Sequence, residues 1–149
     1  MMSATSEGRG LRIGEVAAAA GVSTRTLRYY QELGLLNPSG HTPGVARRYG
    51  AADVERLNRI LELRDLLGFN LDEIAEILRA EDRLAGLRAE WRQGGRRREE
   101  ILAEAAQLNQ RLQAQVRTKL ERLGDFLDEL EAKASRYEEL EVELRAGAR

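Results

Sequence analysis

The sequence predicts a mainly α-helical protein, an N-terminal winged helix-turn-helix followed by a long C-terminal coiled-coil dimerisation helix, on three observations. Two short amphipathic segments meet at Gly21-Val22, a Pro/Gly-rich segment with paired arginines comes next, and from Leu102 onward apolar residues recur every seven positions. The composition agrees: 42% of the 149 residues are hydrophobic and 33% charged but only 5% aromatic, the balance of a helical or coiled-coil chain rather than an all-β one. The length suits one small domain plus an extended element.

Each element has its own signals. Residues 1–10 are Ser/Gly-rich and aperiodic and read as a disordered arm. A short helix is predicted over Ile13–Ala19, with Ile13, Val16, Ala17 and Ala20 on one face. After the Gly21-Val22 turn, Ser23 can cap a second helix that runs to about Leu33, where Gly34 and Pro38 stop it. Residues 37–50 hold both prolines, Pro38 and Pro43, with Gly40, Gly44 and Gly50, and read as a loop or short hairpin. A third helix is expected over Ala52–Leu67, with Val54, Leu57, Ile60, Leu61, Leu63 and Leu67 as its apolar residues and Gly68 closing it. Asn70 and Glu73 form a capping-box pair ahead of a fourth, whose buried face is Leu71, Ile74, Ile77 and Leu78. Residues 11–80 are thus one domain, and 81–97 are expected to be a less regular connector broken at Gly94-Gly95.

Residues 98–145 carry the heptads. Leu102, Asn109, Val116, Leu123, Leu130, Tyr137 and Leu144 lie seven apart, with Ala105, Leu112, Phe126 and Leu140 at the companion positions. Lys119 and Lys133 interrupt that second row, and Leu120, Leu127 and Ala134 lie beside it, which suits antiparallel pairing better than an ideal parallel zipper. The dimerisation residues expected are Leu102, Asn109, Leu112, Val116, Leu123, Phe126, Leu130 and Tyr137; Asn109 at a seam position would fix register.

The net charge of −1 conceals an asymmetry. Between Arg9 and Tyr49, six arginines (Arg9, Arg12, Arg25, Arg28, Arg47, Arg48) face only Glu15 and Glu32, so a basic head precedes an acidic remainder. On the second helix Leu27 and Tyr30 point inward, which leaves Thr24, Arg25, Arg28 and Tyr29 on one outer face. Short polar groups and arginines near a helix N-terminus are what base edges and phosphates require.

In order, Ile13-Gly-Glu-Val-Ala17, Gly21-Val-Ser-Thr-Arg-Thr-Leu-Arg-Tyr-Tyr30, Gly34-Leu-Leu, Arg47-Arg48-Tyr49 and Gly68-Phe-Asn-Leu-Asp-Glu-Ile74 resemble the MerR family of transcription regulators, and Thr26-Leu-Arg-Tyr-Tyr30 is highly specific for it. The resemblance covers about residues 11–80; the final helix resembles the family's antiparallel dimerisation helix in type only. It implies DNA contacts from Ser23, Thr24, Arg25, Arg28 and Tyr29 and from a wing bearing Arg47 and Arg48, with Tyr49 anchoring that wing. Family wings usually carry an aromatic just before the arginine pair, where this chain has Ala46.

The implied function is sequence-specific binding of a palindromic promoter spacer by a homodimer that distorts it for RNA polymerase. Two rivals are an architectural or recombination-associated winged-helix DNA binder and a coiled-coil protein-interaction adaptor. With no cysteine, disulfides, thiolate metal sites and cysteine nucleophiles are excluded. No phosphate loop, nucleophile–base pair or metal cluster points to an enzyme, so no cofactor and no catalytic or metal residue is expected, and His41 stands alone in its loop. No signal peptide or membrane span is read, so a cytoplasmic location is expected. The chain is read as ending with the coiled coil, without an appended sensing domain. A small-molecule effector, hydrophobic or anionic, then remains open near Trp91 and Arg96-Arg-Arg98; the plainer reading is a packed tryptophan and a solvated charge run.

Overall fold

The computed structural model describes residues 10–38, 48–95 and 97–148. It divides into two compact units, with the boundary between Glu81 and Asp82.

The first unit begins with α1 (Ile13–Ala20), where the Arg12 N–H donates to the Glu15 carboxylate at 2.7 Å. Val16 and Ala17 form its buried side, and Gly21 ends it in the left-handed region at φ +68°. The second helix, α2 (Thr24–Glu32), is capped by the Ser23 hydroxyl, which accepts from the Thr26 N–H at 3.0 Å. Gly34, at φ +72°, reverses the chain, and the Leu35 N–H bonds back to the Tyr30 carbonyl. Leu35 and Leu36 are thereby buried.

The third helix, α3 (Ala51–Leu61), opens with the Gly50 N–H on the Asp53 carboxylate at 2.8 Å. It does not continue as an α-helix to Leu67. Residues Glu62–Leu66 form a π turn, in which the Leu67 N–H reaches the Glu62 carbonyl, five residues back, at 3.0 Å. The extra residue in the turn rotates the side chains beyond it. Val54, Leu57, Ile60 and Leu63 are buried, and Leu67, beyond the turn, faces out; Leu61, ahead of the turn at the edge of the apolar face, is half-buried, so two residues expected on the core face are not in it. Phe69 fills the core instead.

Next, α4 (Leu71–Gln93) starts on the expected reciprocal cap: the Asn70 N–H donates to Glu73 and the Glu73 N–H to the Asn70 side chain, both at 2.9 Å. Ile74, Ile77 and Leu78 pack inward, whereas Leu71 is half-buried. A three-sided ion pair holds Arg59 between Glu62 and Glu81 and keeps its guanidinium protonated well beyond the usual range, mainly through the Glu81 hydrogen bonds.

The stretch expected to be an irregular connector, residues 81–97, is helical as far as Gln93. Its content of alanine, leucine, glutamate and arginine favours a helix whatever its periodicity. The break falls at Gly94 and Gly95, both at positive φ, +75° and +126°. In the second unit the chain turns there and runs into α5 (Arg98–Gly147), 50 residues without interruption. Leu87 and Ile101 are its buried contacts across the turn. Arg83 bridges it by donating to Glu104 at 2.8 Å and to Glu90 at 2.9 Å.

Among the described residues there is no strand, only an isolated antiparallel bridge between Leu11 and Tyr49. The expected hairpin, with His41, Ala46 and Arg47, lies outside the described residues apart from its two ends. So do Arg96 and the expected N-terminal arm up to Arg9. No described helix is long and apolar enough to cross a membrane.

Candidate nucleic-acid interface

The helix-turn-helix positions its outer face by burying the inner one. Leu27 is 0% exposed and Tyr30 2%, and the Tyr30 hydroxyl accepts from the Arg64 guanidinium at 2.7 Å. Arg64 also holds Asp65, which pulls the Asp65 carboxyl below its ordinary range. Fixing Leu27 and Tyr30 inward turns Arg25, Arg28 and Tyr29 outward, since these residues lie about 100–200° away around the helix. All three are exposed, Tyr29 to 48%, and with Thr26 and Glu32 they surround an open hollow. Arg25 and Arg28 form no ion pair among the described residues, so both guanidinium groups are available to an anion.

Thr24 is half-buried at the first helical position and Ser23 is exposed beside it. The Ser23 hydroxyl is engaged twice, with the Thr26 N–H and with the Thr26 hydroxyl at 2.9 Å, so its first task is the cap. Glu32, one turn beyond Arg28, shares the hollow. It is absent from the residues expected there, although the four-residue spacing from Arg28 places it on that face.

Tyr49 is buried to 1% exposure. Its backbone exchanges two 2.8 Å hydrogen bonds with Leu11, and its hydroxyl accepts from the Gln31 amide. This ties the segment after residue 47 to the start of α1 and to α2. The clamp is tight enough that a β-carbon on Gly10 would come within 2.9 Å of both the Tyr49 carbonyl oxygen and the Arg48 Cβ. Arg48 is half-buried, and its guanidinium reaches towards the Gly10 carbonyl at 3.4 Å.

The coiled-coil residues do not converge within one chain. Leu102, Val116, Leu123, Phe126, Leu130 and Tyr137 are 44–63% exposed, and Leu112 is half-buried. The Asn109 side chain accepts from Gln113 one turn on. No group of acidic or histidine residues that could hold a metal occurs among the described residues.

Residues 11–81 match the family model described as MerR HTH family regulatory protein. Over 72 residues the chain is 53% identical to the mercuric resistance operon regulatory protein of Pseudomonas fluorescens, an alignment covering 48% of this chain and 49% of that one. It is 41% identical over 109 residues to the HTH-type transcriptional activator TipA of Streptomyces coelicolor, covering 73% of this chain and 40% of TipA. The chain thus spans about half the length, or less, of these curated relatives. A solved MerR family transcriptional regulator from Listeria monocytogenes, 23% identical, aligns over 87% of this chain and 86% of its own with a TM-score of 0.56, and so shares the fold. Residues 11–81 are thus a helix-turn-helix domain of the MerR family.

Proposed function

We propose that this protein is a transcription regulator that binds a palindromic promoter spacer as a homodimer, with residues 11–80 holding the DNA and residues 98–145 pairing the two copies. The observation that carries the reading is the outer face of α2, where two arginines without an ion pair among the described residues and an exposed tyrosine stand on a helix fixed from behind by Leu27 and Tyr30. An arginine fork matches the O6 and N7 acceptors of guanine in the major groove, and tyrosine and threonine hydroxyls suit phosphates. Arg47 and Arg48 of the wing would add contacts to the flanking backbone or minor groove.

The mechanism that goes with this reading is distortion. The dimer bends and untwists an over-long spacer so that RNA polymerase meets both promoter elements. Smooth bending of such a site costs on the order of 1–6 kcal/mol, which contacts to the deformed duplex offset. Footprinting on the promoter of the protein's own gene tests binding, and transcription in vitro from promoters with shortened spacers tests mechanism. Removing one or two base pairs turns the promoter elements by roughly 35–70° relative to each other. Basal transcription is expected to rise and activation by the protein to disappear. Equal activation on both promoters at equal occupancy would replace distortion with simple recruitment of polymerase.

A further inference from the structure

Glu32 is the last residue of α2 and the one acid among the residues that line the hollow on its outer face, with Arg25, Thr26, Arg28 and Tyr29. It is exposed and forms no ion pair among the described residues, not even with Arg28 one turn before it. An acid at this place works against the fold: the C-terminal end of a helix carries partial negative charge, and the last turn of α2 holds no basic residue to offset it. Stability therefore does not account for Glu32. A carboxylate also works against simple attachment to DNA, because it can only accept hydrogen bonds and every phosphate repels it.

We propose that Glu32 is a specificity residue that selects cytosine in each operator half-site. This rests on the regulator reading above, since it needs α2 to lie in the major groove. The hydrogen-bond donors that base edges present there are the amino groups of cytosine and adenine. Adenine sets its N7 acceptor beside the amine, guanine presents O6 and N7, and thymine presents O4 with a methyl group, so cytosine alone carries a donor and no acceptor on its own edge. Such an edge suits a group that can only accept. Arg28 is the converse, a group that can only donate, and its fork suits guanine. Four residues separate the two, about 6 Å along the helix axis, or roughly two base-pair steps. Together they read a guanine and a cytosine close to each other in one half-site, and Glu32 penalises the other bases at its position.

The test is in-vitro selection from a randomised DNA duplex library, run on the intact chain and on Glu32→Gln, followed by affinity measurements on the enriched sequence. The parent is expected to enrich one cytosine position per half-site, near a guanine. Changing that C·G pair to T·A should weaken parent binding at least about fivefold. A glutamine amide donates as well as accepts and pairs with adenine N6 and N7, so the variant should lose the cytosine preference and admit adenine while the guanine preference stays. Because Glu32 is exposed, the variant should keep the parent's circular dichroism spectrum. Two outcomes would sink the proposal alone. One is the same base preferences in both proteins; the other is a uniform rise in the variant's affinity for every sequence, which would make Glu32 a general repulsive charge. A parent chain that enriches no sequence would overturn the regulator reading and this proposal with it.

Discussion

Tyr29 and Tyr30 are neighbours in sequence with opposite environments, and the difference separates stability from recognition. The Tyr30 hydroxyl is buried and accepts from Arg64, whereas Tyr29 is 48% exposed. Tyr30→Phe is expected to cost about 0.5–1.5 kcal/mol in urea unfolding, the net worth of one such hydrogen bond. Tyr29→Phe should leave the unfolding curve in place and act only on DNA affinity. Arg25→Ala and Arg28→Ala belong with Tyr29. Each should weaken operator binding by about 1–3 kcal/mol with the helical circular dichroism spectrum retained. Lost helicity in either variant, or unchanged affinity in both, would remove α2 from the interface.

Among the elements, those defined by contacts three or four residues apart were legible in the sequence. Ser23 as a cap, the stops at Gly34 and Gly68, and the Asn70–Glu73 pair all depend on local chemistry that side-chain order records. The exposure of Arg25, Arg28 and Tyr29 on α2 was legible for the same reason, although Thr24, expected with them, is half-buried. The π turn at Glu62–Leu66 was not, because a hydrogen bond shifted by one carbonyl leaves no mark on composition and changes which leucines are buried. Between α4 and α5 the sequence points to Trp91 beside the glycine break, but the packing of Leu84 and Leu87 near Ile101 was not legible, because they meet only through the turn at Gly94 and Gly95. That turn is braced by the Arg83–Glu104 pair, whose hydrogen bond holds the Glu104 carboxyl below its ordinary 4.5. A carboxyl lowered on folding contributes stability that is complete above its unfolded value and is lost as pH falls through the folded one. Trp91 fluorescence should therefore report loosening of the hairpin as pH drops below about 4.5, and Glu104→Gln should flatten that acid limb. An identical acid limb in the variant would mean that the pair does not hold the turn.

At the scale of the whole molecule, the long helix presents apolar surface that one chain cannot cover. Fifty residues extend about 75 Å at 1.5 Å per residue, and Ile101 is the only buried residue among those described in α5. Val116, Leu123, Phe126, Leu127 and Leu130 form an exposed apolar stripe of the kind that marks an interface. Charge along the helix favours one way of covering it. Residues 111–122 carry Arg111, Arg117, Lys119 and Arg122 against Glu121, whereas Asp125, Asp128, Glu129 and Glu131 follow without a cation. A second copy running antiparallel about an axis near Leu123 sets the basic stretch of each chain against the acidic stretch of the other. A parallel copy sets like against like, which opposes pairing. Leu123→Asp is then the most damaging single change, because the two-fold axis brings both new carboxylates together in the seam. Sedimentation should show the variant dissociating at concentrations where the parent is dimeric, with operator affinity falling in parallel, since each half-site would be held by one head alone. Raising the salt should weaken the parent dimer and, by screening the paired carboxylates, narrow its advantage over the variant. A variant that remains dimeric, or a monomeric parent that binds a palindrome tightly, would mean that α5 does not pair two copies about Leu123.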